Sequence, residues 1–339
     1  MRSVPLRIFM WILGFSALLG NVTVIVWRFR EKEKNTIQSF LILNLAISDC
    51  LMGVYMIIIA SADAHFRDVY IYKASQWLGS LMCSLAGILA VVSSEVSVFI
   101  LTVISLDRFL CIVFPFGRVR LSQKGSRVII ACGWTCGILL AVLPVMNISY
   151  FGDAYYGHSS VCLAIPLDDN RSEGWEFSIT VFLGLNFACL LAIAGCYIAI
   201  IIVSKRSSRS IRSSKTLAND IRLASKTAMI VTTDMFCWLP IVILGTLGTT
   251  GAINIPSVVY AWTAVFILPI NSSINPYLYT FSSMRRAKPK KVSGSGTYYE
   301  TYRMPCDCNS AKSTESPKIS RKWMQGTPGV SSSSVSTGR

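Results

Sequence analysis

Acidic side chains inside long apolar runs are the residues of this sequence best placed to do chemistry. Asp49, Glu95 and Asp234 each lie within such a run. A charge there is costly unless the group is protonated, paired or bound to a cation. At the end of another apolar run, Asp107 precedes Arg108. These groups could hold a proton, a small cation or an ion pair.

No catalytic motif accompanies these carboxylates. The chain has only two histidines, His65 and His158, and its 11 cysteines lack the paired spacing of a metal site. The sequence contains no nucleophile elbow, phosphate loop or cofactor fingerprint. We therefore expect a protein that is not an enzyme and that carries no organic cofactor.

The elements that position these residues are long apolar segments. Of the 339 residues, 53% are hydrophobic and 14% are charged, whereas an ordinary soluble domain has about 25% charged residues. A membrane-spanning helix needs about 20 apolar residues. Seven runs qualify: 6–28, 39–62, 80–110, 127–147, 176–203, 224–248 and 257–281. The sequence thus predicts an all-α membrane protein, a seven-transmembrane helix bundle over residues 6–283.

The distribution of basic residues predicts the orientation of this bundle. Lysine and arginine number 15 in one set of alternating segments (28–38, 111–127, 204–226) and 3 in the other set (63–79, 145–175, 249–256). Basic loops stay in the cytoplasm, so the amino terminus, residues 1–5, is expected outside and the carboxyl terminus inside. Residues 284–339 are predicted to form a largely disordered cytoplasmic tail. Membrane topology explains the net charge of +15, and no nucleic-acid partner is expected.

Short polar motifs occur in a fixed order along the spans. They are Gly20-Asn21; Asn44-Leu45-Ala46-Ile47-Ser48-Asp49; Cys83 with Asp107-Arg108-Phe109; Trp134 with Pro144; Phe236-Cys237-Trp238-Leu239-Pro240; and Asn275-Pro276-Tyr277-Leu278-Tyr279. In this order they resemble the signature of the rhodopsin-like (class A) G-protein-coupled receptors. The resemblance covers roughly residues 10–290.

A narrower resemblance points to one branch of that family. Ser94-Glu95-Val96-Ser97-Val98, Asp234 and the absence of a proline in the middle of span five are similar to the leucine-rich-repeat receptors, closest to the relaxin receptors and a snail relative. Members of that branch carry a leucine-rich-repeat ectodomain before the first span, whereas only about five residues precede it here. The sequence is therefore read either as a fragment or isoform of such a receptor, or as a divergent receptor without the ectodomain.

The resemblance implies two sets of functional residues. The residues for G-protein coupling and switching are Asp107, Arg108, Asp220, Trp238, Pro240, Asn275, Pro276 and Tyr279. The polar network is Asn21, Asp49, Ser97, Asn271 and Asn275, in which Asp49 and Ser97 would bind a structural sodium ion. A hydrogen-bonded polar core without an ion is the alternative. We expect Arg108 to pair with Asp107 or with Asp220, and to border the cytoplasm.

Two features are expected on the outer side. Cys83 and Cys162 are the only cysteines there, and the exterior is oxidising, so they are predicted to form a disulfide. Asn147 and Asn170 begin glycosylation sequons.

The predicted function is that of a plasma-membrane, multi-pass receptor. An extracellular ligand, expected to be a relaxin-like or other peptide hormone, would lead to activation of a heterotrimeric G protein. Further expected partners are arrestin, a receptor kinase and membrane lipid. The alternative is an ion-coupled transporter or channel that uses the buried carboxylates Asp49, Glu95 and Asp234.

Overall fold

The computed structural model describes most of the chain as a helical bundle. The described residues are 4–30, 37–67, 69–114, 120–163, 173–208, 215–253, 255–256, 259 and 262–284. The helices are α1 (Val4–Arg30), α2 (Ile37–His65), α3 (Tyr70–Leu78), α4 (Leu81–Val113), α5 (Gln123–Val142), α6 (Trp175–Ser178), α7 (Asn186–Ser208), α8 (Lys215–Thr249) and α9 (Leu268–Met284). A π-helical segment, Ile179–Leu185, joins α6 to α7, and a second one, Thr263–Ile267, leads into α9.

Among the described residues, six helical stretches are long and apolar enough to cross a membrane. They are Val4–Arg30, Ile37–His65, Leu81–Val113, Gln123–Val145, Trp175–Arg206 and Thr227–Gly248. The region predicted as the seventh span is described as helix from residue 262 to Met284. Serine side chains cap the first turns of α4 and α5, where Ser80 accepts from the Cys83 N–H and Ser122 from the Gly125 N–H.

The third span, α4, occupies the centre of the bundle. It packs against α2, α5, α7 and α8, and buried residues occur all around its surface. A helix that is apolar on every face has no solvent side, so it is stable only when other helices surround it. This central position brings α4 against the second, fourth, fifth and sixth spans.

Close packing of α5 on α4 depends on two glycines. A Cβ atom at Gly133 would lie 2.4 Å from the Phe99 ring, and one at Gly137 would lie 2.7 Å from Val96 Cγ2. The four-residue spacing places both glycines on one face, which therefore approaches α4 directly. The other face of α5, including Val128 and Leu139, is exposed.

The fifth span has no proline in its middle, but it contains a π-helical segment. The π segment Ile179–Leu185 interrupts its α-helical hydrogen bonding just before Asn186. Such single π turns change the direction in which the following side chains point and are frequent at functional sites. Here the turn precedes an asparagine that faces the centre of the bundle.

Candidate functional site

A buried carboxylate, Asp49, organises the polar core of the bundle. Asp49 Oδ1 accepts hydrogen bonds from Ser97 Oγ at 3.4 Å and from Ser272 Oγ at 2.8 Å. Asp49 Oδ2 accepts from Asn275 Nδ2 at 2.9 Å. These bonds join the second, third and seventh spans through one side chain.

Asn21 reaches the same cluster through the backbone. Its side-chain amide donates to the carbonyl oxygen of Ala17 at 2.8 Å and to that of Ser272 at 2.9 Å. The first span is thereby fixed to the seventh at the level of Asp49. Four of the five residues predicted for the network, together with Ser272, thus meet in the structure.

Asn271 takes a different partner from the one its motif suggested. Its side-chain amide donates to the carboxylate of Asp234 in α8. Ser272, the next residue, supplies the hydrogen bond to Asp49 instead. Asn271 therefore connects the seventh span to the sixth, so the polar core extends into the helix that contains Pro240.

Several buried oxygen atoms in this core accept no hydrogen bond in the described part of the chain. They are Asn21 Oδ1, Asp234 Oδ2, Asn271 Oδ1 and Asn275 Oδ1. Buried polar atoms are normally paired with protein or with water. Because all four are acceptors, they call for a donor or a cation. They belong to the residues of the polar core around Asp49 and Asp234, and oxygen atoms are the ligands that small hard cations prefer.

A second buried contact joins the third and fifth spans. Asn186 Nδ2 donates to Glu95 Oε1 at 2.9 Å and lies 3.3 Å from the carbonyl oxygens of Val181 and Phe182. Those carbonyls belong to the π segment, which alters the normal helical pairing. One amide therefore stabilises the π turn and fixes it to α4.

The Asp107–Arg108 motif forms an ion pair at the end of α4. Arg108 Nε lies 3.1 Å from Asp107 Oδ2, and an Arg108 terminal nitrogen contacts the same oxygen. Arg108 is 2% exposed and Asp107 is 5% exposed. The expectation that Arg108 borders the solvent is therefore corrected: neighbouring helices enclose it. The Asp220 side chain lies outside the described residues, so a contact with Arg108 stays a prediction.

The predicted hinge residues lie where the helices can bend. Pro240 is inside α8, where it removes a backbone N–H, and Trp238 is buried two residues earlier. Pro276 is inside α9, directly after Asn275. The side chain of Tyr279 lies outside the described residues.

The loop between the fourth and fifth spans packs on the end of the bundle that is predicted to face outside. The predicted disulfide is present, with Cys83 and Cys162 Cα atoms 5.3 Å apart. Tyr55 Oη donates to the Val161 carbonyl at 2.9 Å, and Tyr156 Oη donates to the Ala141 carbonyl at 2.7 Å. These contacts hold the loop on the second, third and fourth spans, with Tyr156 and Cys162 almost fully buried.

Gly87 has no side chain, which leaves room for the Tyr156 ring of the loop to pack against α4. A Cβ atom there would lie 2.2 Å from the Tyr156 ring and 2.8 Å from the Cys162 carbonyl oxygen. Tyr155 adds a hydrogen bond of 2.7 Å between its hydroxyl and Ser178 Oγ. Burial raises the pKa of Tyr155 to about 12. We call the described part of this loop, residues 146–163, the lid.

The glycosylation sequons are only partly described. Asn147 is exposed and adopts a φ angle of 53°, in a turn after the fourth span. Asn170 lies outside the described residues. Glycosylation at either position stays a prediction.

Three important residues had not been assigned a role from the sequence. Ser272 bonds to Asp49, Asn186 bonds to Glu95, and Tyr55 bonds to the lid. Asn186 had a usable signal, because an amide within an apolar span is costly without a partner. Serine and tyrosine are common enough in membrane helices that their presence alone did not single them out.

Comparison with known proteins agrees with this architecture. A family model described as "7 transmembrane receptor (rhodopsin family)" matches residues 20–279. The structure superimposes on squid rhodopsin with a TM-score of 0.63 at 20% identity, covering 83% of this chain and 82% of that one. At that identity the likeness concerns the fold. The predicted all-helical, seven-transmembrane fold is confirmed.

Relatives with greater sequence similarity belong to the branch suggested by the motifs. G-protein coupled receptor GRL101 of Lymnaea stagnalis is 44% identical over 283 residues, which are 84% of this chain and 25% of the relative. Relaxin receptor 2 of Homo sapiens is 36% identical over 280 residues, 82% of this chain and 37% of the relative. Thyrotropin receptor of Felis catus is 33% identical over 278 residues, 81% of this chain and 34% of the relative.

The chain therefore spans about a quarter to two-fifths of the length of these relatives. Their names favour a receptor over the transporter alternative, and they confirm the resemblance read from the motifs. Apolar helices and this kinship make the protein a multi-pass protein of the plasma membrane. The chain belongs to the rhodopsin family of seven-transmembrane receptors.

Proposed function

We propose that the protein converts the binding of an extracellular ligand into activation of a heterotrimeric G protein. The observation that carries this proposal is the buried Asp107–Arg108 pair at the end of the central helix. A buried guanidinium that pairs with a neighbouring carboxylate can be released when the surrounding helices move apart. It would then become available to a cytoplasmic partner.

The polar core supplies the restraint that such a switch needs. Asp49 joins the second, third and seventh spans, while Asn271 and Asp234 join the seventh to the sixth. Pro240 provides a weak point in α8. A ligand that favours one packing of these helices shifts the population only as far as its affinities for the two states differ.

The position of the loop between the fourth and fifth spans and the names of two relatives support one class of ligand. The lid is fixed to the helix ends that are predicted to face outside, so an extracellular ligand would meet the lid before the buried core. Two relatives are named as a relaxin receptor and a thyrotropin receptor. We therefore propose a peptide hormone. Arrestin and a receptor kinase are proposed as cytoplasmic partners.

Coupling is tested by replacing Arg108 and its partner. Arg108→Ala should lower agonist-independent and ligand-driven second-messenger production while surface expression is retained. Asp107→Asn keeps the shape but removes the charge. Because hydrogen bonds to charged groups contribute about 1.5–3 kcal/mol, this change should raise the ratio of active to inactive receptor by roughly tenfold or more.

Asp220→Ala serves as the comparison. If Asp220 pairs with Arg108 in the inactive state, its loss should raise basal signalling, because the pair would hold α8 against α4. All three variants are normalised to surface protein. Normal signalling by Arg108→Ala would remove the assigned coupling role and much of the support for the receptor proposal.

We also propose that sodium binds beside Asp49 and Ser97 and stabilises the inactive state. The buried carboxylate and the unpaired oxygens of Asn271 and Asn275 support this donor set. Asp49→Asn should abolish the sodium dependence of the melting temperature, measured against potassium at equal ionic strength. Glu95→Gln, in the separate contact with Asn186, should retain it. Wild-type protein without any sodium dependence would leave a hydrogen-bonded core as the correct interpretation.

A further inference from the structure

The first turns of α5 concentrate positive charge on one face. Lys124 and Arg127 are both exposed, and Arg120, just before the helix, is exposed as well. Residues three apart on an α-helix point about 60° from each other, so the side chains of Lys124 and Arg127 lie on the same side of α5. No acidic residue occurs in α5 to compensate their charge.

The same face continues as an apolar stripe. Lys124, Val128, Cys132, Thr135 and Leu139 follow at intervals of three or four residues, and all are exposed. Val128 and Leu139 are each 62% exposed. Thr135 donates its hydroxyl to the carbonyl of its own helical turn at 2.9 Å, so the stripe presents no unpaired hydroxyl.

The length of the stripe matches one leaflet of a bilayer. Val128 and Leu139 are eleven residues apart, which at about 1.5 Å per residue gives about 17 Å. The hydrocarbon core is about 30 Å thick, so the stripe spans roughly half of it. The buried face of α5 packs on α4 through Gly133 and Gly137, which leaves the stripe to the lipid.

We propose that this face of α5 binds an anionic phospholipid of the cytoplasmic leaflet. The headgroup phosphate lies against Lys124 and Arg127, and an acyl chain runs along Val128 towards Leu139. Loop charge assigns this end of α5 to the cytoplasm, where anionic lipids are concentrated. The proposal rests on two neighbouring cationic side chains at the end of a lipid-facing apolar stripe, which complement an anionic headgroup and its acyl chain. It concerns the lipid environment of the receptor and not its signalling.

The end of α1 offers a matched comparison. Arg28 and Arg30 carry the same total charge on the same side of the membrane. Residues two apart point about 160° from each other, so these cations do not converge on one headgroup. Arg28 also lies 5.4 Å from the centre of the Trp27 ring.

The experiment titrates purified receptor in phosphatidylcholine nanodiscs with phosphatidylserine and counts bound lipid by native mass spectrometry. Each cation near an anionic surface contributes about fivefold in affinity, so Lys124→Gln with Arg127→Gln should weaken phosphatidylserine binding about thirtyfold. Arg28→Gln with Arg30→Gln should weaken it about fivefold or less, because a single cation faces any one headgroup. Lys124, Arg127 and Arg30 are exposed and Arg28 is partly buried, so the Lys124→Gln/Arg127→Gln variant should melt close to the wild-type temperature.

Two further arms separate a lipid site from general electrostatic attraction. Equal losses in the two double variants would overturn the proposal, because net charge alone would then explain binding. Absence of a preference for phosphatidylserine over phosphatidylcholine in the wild type would overturn it as well. Soluble glycerophosphoserine should not displace the bound lipid; displacement would show that the apolar stripe contributes nothing and that the site binds a free phosphate.

Discussion

The contact between Asn186 and Glu95 permits a quantitative test of the bundle's polar core. Asn186→Leu keeps a side chain of similar size and removes the amide. Glu95 Oε1 then loses a donor at 2.9 Å, and the carbonyl oxygens of Val181 and Phe182 lose a contact at 3.3 Å. Because these acceptors lie inside the bundle, solvent cannot replace the amide.

The expected cost is about 2 kcal/mol. Hydrogen bonds between membrane helices average about 0.6 kcal/mol and reach about 1.7 kcal/mol. A buried acceptor left without a partner costs about 1–3 kcal/mol. The two contacts at 3.3 Å are long, so Glu95 should dominate the total. With about 2–4 °C per kcal/mol for a chain segment of this size, the melting temperature should fall by about 4–8 °C.

The matched control replaces both partners. Asn186→Leu together with Glu95→Met leaves an apolar pair, which is nearly neutral when the shapes are similar. The double variant should therefore melt above the single Asn186→Leu variant and close to wild type. Melting temperatures are measured on purified protein in one detergent. An unchanged single variant, or a double variant that melts below it, would refute the assigned role of Asn186.

Three further predictions concern the outer lid. Gly87→Ala should destabilise the protein by about 1–3 kcal/mol, because its Cβ would overlap Tyr156, whereas Gly195→Ala should not, because nothing lies within 4 Å of the added atom. Serine at Cys83, at Cys162 or at both should cost the same, roughly 2–4 kcal/mol in thermal unfolding. Burial raises the pKa of Tyr155 from 10.0 to about 12. The folded state thus favours the neutral phenol, and stability measured by melting should fall from pH 10 towards 12, with a smaller fall in Tyr155→Phe.

The broad architecture followed from the sequence because hydropathy is a local property. Apolar runs of sufficient length have one stable arrangement in a bilayer, a helix that satisfies its own backbone. Polar residues in such runs are few, so their order identified the family. The disulfide was predictable for a similar reason: only Cys83 and Cys162 fell on the oxidising side, and the structure joins them.

The partners of the buried polar groups required the tertiary structure. Ser272 and Asn271 are neighbours in sequence, yet they face different helices because successive helical residues point about 100° apart. The rotation of the seventh span directs Ser272 to Asp49 and Asn271 to Asp234. The sequence motif shows that Ser272 and Asn271 are polar, but it does not show how the seventh span is rotated about its own axis.

Burial was likewise decided by packing. The sequence places Arg108 at the end of an apolar run, which predicts contact with the cytoplasm, but adjacent helices reduce its exposure to 2%. The π turn before Asn186 and the insertion of Tyr156 against Gly87 also arise from contacts between distant segments. The sequence by itself therefore determined the spans, the family and the disulfide, since these depend on local composition. Only the packed helices decided which side chains meet, because that depends on the rotation and separation of whole helices.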